Sequence, residues 1–385
     1  MIRLLILLTF LGCLWPLTSA IAVQGHTRLL TTWQDTTAYS ASQWNSAAEL
    51  RLHDKQPLTS ALSFEWGATA TLWYRQHPTR WQAVRPNQQI DLTKVTGEAN
   101  HCTTQSEIDR LALHANIGRH QVTVGRQAIG FGRIVLYSPL DIIAPFAPDA
   151  LITDVRPGID AVRWNINLTA ASQLQAIHIW GPDNRENSSL LALESLFDWG
   201  DLLLLGGELA GRPLAGAGIA SQWGGIGIKL EATTYGRKPH RDGDDPHDEF
   251  TIAAVECDAR LFDDVYLTVD YLFNGCGSDD PEDATAILAS AFYQEQRAYL
   301  SGRHYLISVL SAEVHPLVTA ELFSLLNLGD HSVMIRPGLS VSLSDNLSLD
   351  VHYAWLEGHQ GSVSQPASEF GNQGDLASVF LSYYF

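Results

Sequence analysis

Many charged residues in this chain fall at alternate positions, between apolar neighbours. Glu65, Arg163, Lys229, Glu231, Asp270, Arg336 and Asp350 sit this way, and Arg110, Glu49, Arg51, His53, His114, Glu256, Asp258 and His352 are placed on the same face by parity. Both signs occur, with no long single-sign ladder. Facing charges of this kind set a transverse field and hold ordered water, which favours small hydrophilic solutes over apolar ones. The plainer reading is that they only hydrogen-bond across a wet wall.

A second set is close in sequence. Residues 128–158 read AIGFGRIVLYSPLDIIAPFAPDALITDVRPG, with Arg126, Arg133 and Arg156 in or beside the segment and Asp141, Asp149 and Asp154 within it. A solvated loop would be polar, so this one is expected to pack against something. It either folds inward and narrows a passage or lies as a lid on a rim.

Other chemistries find less support. GxSxG, HExxH, GxxxxGK[ST] and GxGxxG before a helix are all missing. A Ser/His/Asp set assembled only by the fold is left as the enzyme alternative. The acidic runs Asp242-Gly243-Asp244-Asp245 with Asp248 and Glu249, and Asp279-Asp280 with Glu282 and Asp283, carry ligands suited to Ca²⁺ or Mg²⁺. Their spacing departs from the EF-hand loop, so solvated acidic loops are expected, with no metal site and no cofactor.

The elements that must carry these side chains read as strands. From Leu62 to Tyr74 the even positions are apolar or aromatic, while the odd ones are Ser63, Glu65, Gly67, Thr69, Thr71 and Trp73. Thirteen residues of period two span about 43 Å at roughly 3.3 Å per residue, twice a usual soluble strand. The alternation returns in 162–168, 226–233, 265–273, 333–343 and 347–355. Within a membrane every backbone N–H and C=O must pair internally, so strands survive there only in a closed barrel. Short turns are expected at Gly118-Arg119, Arg260 to Phe262, Ala312-Glu313 and Ser344-Asp345. Long connections are expected at 75–105, 128–158, 237–247, 275–298 and 358–373, all at the opposite end, as transmembrane barrels require. The count comes to about 18 strands, with 16 as the alternative. Trp66, Tyr74, Tyr353, Trp355, Tyr383 and Phe385 sit near strand ends, where aromatic girdles belong.

The ends of the chain add two signals. Met1-Ile2-Arg3, the apolar stretch Leu4 to Leu17 and the small-x-small Ala20-Ile21-Ala22 predict a signal peptide over 1–22 and a single barrel domain over 23–385. Its removal takes away Arg3, the only charge before Val23, and moves the net charge of −18 one unit further negative. At the other end, Asp375 to Phe385 places Ala377, Val379, Leu381, Tyr383 and Phe385 on one face. This segment closely resembles the C-terminal signature of bacterial outer-membrane barrel proteins, which ends on an aromatic residue. The resemblance implies an all-β transmembrane antiparallel up-and-down barrel, with Tyr383 and Phe385 read by the barrel-assembly machinery. It also implies a place in a Gram-negative outer membrane, among its lipid and lipopolysaccharide. Gly125-Arg126-Gln127 and Pro157-Gly158-Ile159-Asp160 resemble segments of bacterial porin-like proteins.

Composition agrees. The charged fraction is 17% against roughly 25% for soluble domains, and a mean hydropathy of −0.03 is too polar for a helical membrane bundle. An acidic chain lacks the basic footprint of nucleic-acid binding, so no nucleic-acid partner is expected. A homo-oligomer is left open. Cys102, Cys257 and Cys276 follow the expected signal peptide, with no CxxC. Cys102 and Cys276 could pair in an oxidising compartment, or all three stay unpaired. The function expected is a passive outer-membrane channel for small hydrophilic solutes or ions. The alternatives are a barrel that sheathes partner proteins, such as an electron-conduit cytochrome, and, less favoured, an outer-membrane hydrolase.

Overall fold

The computed structural model describes residues 23–37, 41–77, 87–97, 100–147, 150–238, 249–362 and 367–385. The expected signal peptide, Asp149 and the acidic run 242–248 lie outside the described residues.

Alternating residues make two-faced strands, and these pair in sequence order around one ring. The strands are β1 (Gln24–Gln34), β2 (Gln43–Pro57), β3 (Leu62–Arg75), β4 (Thr93–Thr96), β5 (Cys102–Ile117), β6 (His120–Gln127) and β7 (Ile159–Asn167). They continue as β8 (Ser172–Ile179), β9 (Ser188–Phe197), β10 (Gly200–Leu209), β11 (Arg212–Trp223), β12 (Ile226–Tyr235) and β13 (Phe250–Phe262). The remainder are β14 (Val265–Asn274), β15 (His304–His315), β16 (Val318–Asn327), β17 (Val333–Ser344), β18 (Leu347–Glu357) and β19 (Leu376–Tyr384). Every pairing between them is antiparallel. β1 closes the ring against β19, with Thr27 opposite Tyr383, and Gly25 and Phe385 exchange backbone hydrogen bonds at 2.9 and 3.0 Å. The closed barrel has 18 strands, the first of the two expected counts.

The nineteenth strand is a patch. β6 has eight residues and β5 has sixteen, so β6 pairs with β5 only from Leu111 downward. Above it β4 pairs with Thr104 to Glu107 and completes the wall. The connection between β3 and β5 is therefore partly sheet. The wall is uneven: β6 to β10 run 8–10 residues, whereas β2, β3 and β5 run 14–16.

The outward face is apolar, with Leu113, Leu191, Leu204, Leu230, Val255, Leu322 and Val351 exposed. Trp44, Tyr74, Tyr353 and Trp355 ring one end and Trp199, Trp223, Phe262 and Phe385 the other, as interfacial girdles do. Most short turns share the end that carries the chain termini; the turn Ala210-Gly211 between β10 and β11 lies at the other. Three of the expected turns differ: β13 runs on to Phe262, β15 to His315 and β17 to Ser344, each with a bulge, so the turns fall at Asp263-Asp264, Pro316-Leu317 and Asp345-Asn346. A bulge adds one residue before the strand ends, and period-two counting cannot see it.

The hydrophobic core lies inside the barrel. Ile177, Ile179, Leu190, Leu203, Leu205, Ile252, Leu272, Ile307 and Leu325 point inward from β8 to β16 and are buried. No disulfide forms among the described cysteines: Cys102 begins β5 and Cys276 follows β14, half-way round the ring. A disulfide needs Cα atoms within about 7 Å.

Candidate constriction site

Residues 128–158 leave the end of β6 and return at β7 by way of the barrel interior. Ile129, Phe131, Ile134, Tyr137, Leu140, Ile142 and Ile143 are buried against the inward apolar wall. Leu140 is the deepest. A Cβ built on Gly216 or on Gly218 of β11 would stand 2.6 Å from its methyl groups, so the two glycines form the notch that seats it.

An irregular backbone in a dry interior must find hydrogen-bond partners. Here wall carboxylates supply the acceptors. Glu231 Oε1 accepts from the backbone N–H of Arg133 and of Ile134, the latter at 3.0 Å. Its Oε2 accepts from Ser138 Oγ at 2.5 Å and from the Leu140 N–H at 3.3 Å. On the neighbouring strand Glu256 Oε2 accepts from the N–H of Val135 and Leu136 at 2.8 and 3.1 Å. Its Oε1 accepts from Lys229 Nζ at 2.6 Å, and the same ammonium stands 3.3 Å from Asp258. Thr233 donates to the Pro139 carbonyl at 2.7 Å. Asp270 on β14 is fully buried beneath the Tyr137 backbone.

Glu231 and Asp270 thus point inward, as their parity requires, but they do not line an open passage. The loop covers both, and Glu231 holds it in place. This corrects the expected pore-lining role of these two residues.

Further ties cross to other strands. Arg133 donates to Asp201 at 2.6 Å and to Glu194 at 3.1 Å, on β10 and β9. Arg156 donates to both oxygens of Asp141 at 2.7 Å and to the Ala144 carbonyl at 2.8 Å, and its guanidinium lies over the Phe146 ring. Asp154 accepts from Arg28 of β1 at 2.7 Å, and Arg28 also reaches Ser382 Oγ. Arg110 Nη2 donates to the Arg156 carbonyl at 2.8 Å. The loop therefore spans the lumen, from the β9–β14 wall to β1 and β5.

The other expected residues remain on the inner wall. His114 Nε2 and Glu65 Oε2 are 2.8 Å apart, and Arg163 lies within electrostatic reach of Glu65 and Glu194. Arg336 packs over the Phe323 ring, 4.5 Å from its centroid, and Ser340 donates to Asp350 at 2.5 Å.

Arg126 is placed differently. It shares the outward parity of Val122 and Val124, and its partner Asp160 shares that of Val162 and Trp164. The pair is a fork: Arg126 Nε and Nη2 donate to the two Asp160 oxygens at 2.8 and 2.9 Å. Residues 87–93 lie over it. Asp160 accepts from the N–H of Gln89 and Ile90 at 2.9 and 3.0 Å, and Arg126 donates to the Ile90 and Ile108 carbonyls. Arg126 is a wall clamp, not a lumen residue.

Over its full length the architecture is shared with solved proteins. The outer membrane protein OprD from Pseudomonas aeruginosa superposes with a TM-score of 0.57 at 9% identity, covering 94% of each chain. OccAB1 from Acinetobacter baumannii gives 0.55 at 12% identity, covering 94% of this chain and 96% of that one. The Pseudomonas aeruginosa OpdK structure with vanillate gives 0.57 at 9%, with 94% and 98% covered. The fold is that of the outer-membrane porins. No family model and no curated protein matches the sequence.

In this porin fold several site residues escaped the parity argument. Asp109 is the extra residue of a bulge opposite Gly67 and Ala68, so Asp109 and Arg110 both turn inward, and Arg51 donates to Asp109 at 2.6 Å. Arg28, Glu194 and Asp201 were missed because their ties to the loop, through Asp154 and Arg133, appear only once the loop is folded into the barrel. For Asp160 a signal existed: an acidic residue on outward parity, across the loop from an outward arginine. The acidic run after β14 caps a short turn: Asp280 accepts from the Glu282 N–H, and Asp283 from Ser278 Oγ at 2.8 Å. Among the described residues no cluster of three His, Cys, Asp or Glu is placed to hold a metal.

Burial in the loop pushes the Asp141 carboxyl up to about 6, against the pull of Arg156 and with a push from Glu231. A raised carboxyl binds its proton in the folded state before it does so in the unfolded chain, so its contribution to stability rises as pH falls from 7 toward 4. Protonation also leaves the Arg156 charge uncompensated. In planar bilayers at a fixed salt gradient, the reversal potential is expected to move toward anion preference as pH falls through 6. D141N should lack that step, and an unchanged step in D141N would refute the assignment.

Proposed function

We propose that the protein is an outer-membrane channel of a Gram-negative bacterium for passive diffusion of small hydrophilic solutes or ions, and is not an enzyme. The observation that carries this reading is the loop 128–158, tied by ion pairs to β1, β9 and β10 and by wall carboxylates to β12 and β13. Such a loop narrows a lumen without sealing the wall, and charged side chains such as Glu65, Arg163 and Asp350 line what remains. The OpdK structure holding vanillate supports a solute of that size. A barrel crossed by its own loop leaves no through-going space for a partner protein, so the sheath alternative is not favoured. In this reading the barrel-assembly machinery recognises the Tyr383–Phe385 end, and outer-membrane lipid and lipopolysaccharide surround the wall.

The test is single-channel recording of refolded protein in a planar bilayer. Stable conducting steps are expected. A barrel shown to be folded by heat-modifiable gel migration but carrying no current would overturn the proposal.

A further inference from the structure

The constriction loop is held from a second direction. Between β14 and β15 the chain forms two short helices, Ala284–Ala289 and Ala291–Gln294, that fold back onto the barrel mouth. Phe292 packs edge-on against Tyr235 and Phe250 at 5.0 and 4.9 Å, and Lys238 donates to Glu295 at 2.9 Å. This seats Arg297, whose exposure is 4%.

The partners of Arg297 are unusual for a buried cation. Its Nη1 donates to the carbonyls of Ile143 and Ile142, at 2.6 and 3.3 Å, in the middle of the constriction loop. Nη2 donates to Asn87 Oδ1 at 2.9 Å, and Asn87 Nδ2 returns to the Ile143 carbonyl at 2.6 Å. Asn87 is itself tied to the wall, accepting from the Asp160 N–H at 3.0 Å. The nearest carboxylate, Glu295, stands 3.9 Å away. Two residues further on, Tyr299 donates to the Pro145 carbonyl at 3.1 Å. Buried carbonyls without donors are destabilising, and a planar fork reaches several acceptors at once. One guanidinium therefore joins three separate connections of the chain over the lumen.

We infer that Arg297 is a positioning residue of the constriction: it fixes residues 142–145 in the lumen from the outer side, independently of Glu231 and Glu256 in the wall. The inference rests on the channel reading only for the size of the current. The fixing of the loop stands on geometry alone.

The experiment uses the full refolded chain and two readouts. Hydrogen exchange followed by mass spectrometry reports the amides of residues 140–147, and bilayer recording reports conductance and open-channel noise. In R297M the amides are expected to exchange at least about tenfold faster than in the wild type, with larger or noisier conducting steps. R297K, which keeps the charge but not the fork, should fall between. A folded R297M with wild-type exchange and wild-type current overturns the inference. If R297M does not fold, R297K decides, and its equality with the wild type in both readouts is equally fatal. A wild type that never conducts defeats the channel reading, while the exchange result still judges Arg297.

Discussion

The double variant E231A/E256A is expected to pass several times more current per channel than the wild type, with the barrel still folded. Glu231 and Glu256 together accept from the amides of Arg133, Ile134, Val135, Leu136 and Leu140 and from the Ser138 hydroxyl. Leaving a buried donor unsatisfied costs about 1–3 kcal/mol each, so the loop loses on the order of 6 kcal/mol or more of attachment. The strands lose nothing comparable, because their ladders do not run through these carboxylates. The loop should detach while the ring persists. Unchanged conductance in a variant that still shows heat-modifiable migration would mean that the apolar seat under Leu140 holds the loop by itself. The single variants should fall between, with E231A the larger because Glu231 receives more of the donors.

The second large effect belongs to the wall. R126M removes one partner of a buried pair and leaves Asp160 charged under residues 87–93. Breaking such a pair costs about 3–5 kcal/mol. The folded-to-unfolded midpoint in urea should drop accordingly, and the patch strand β4 should lose amide protection first. Replacing both groups by apolar residues in R126M/D160L should restore much of the loss, since the penalty comes from the stranded charge. If R126M matches the wild type in both midpoint and β4 protection, the clamp has no structural role. Neither variant should alter ion selectivity, which separates the pair from the residues that face the lumen.

Period-two alternation made most of the wall legible. Leu62 to Tyr74 and 226–233 lie as their patterns require, and the terminal aromatic segment closes the ring. The apolar composition of 128–158 likewise marked a packed loop with its boundaries, and left open whether it folds inward or lies as a lid on the rim. Three things were hidden, each for a physical reason. A bulge at Asp109 changes parity without changing composition. β4 is four residues long, and its sheet partner lies across a connection. The burial of Glu231, Glu256 and Asp270 depends on where a loop about a hundred residues earlier comes to rest. Local pattern says which way a side chain points; only the packed chain says what covers it. Arg126 shows the reverse error: its neighbours Val122 and Val124 already declared its face, and its charge drew it wrongly into the lumen.

The unequal strand lengths bear on the surrounding bilayer. Eight residues tilted about 40° rise roughly 20 Å at about 3.3 Å each, and fifteen rise roughly 38 Å. The apolar band of such barrels is about 25 Å tall. Over β8, where no patch strand adds height, the sheet alone falls short of the lipid it must meet, so the hydrocarbon layer thins along that flank, at a cost that grows with each ångström of mismatch. The barrel therefore has a preferred side for shorter-chain lipids. Two copies that turned their low flanks toward each other would relieve the same strain at once.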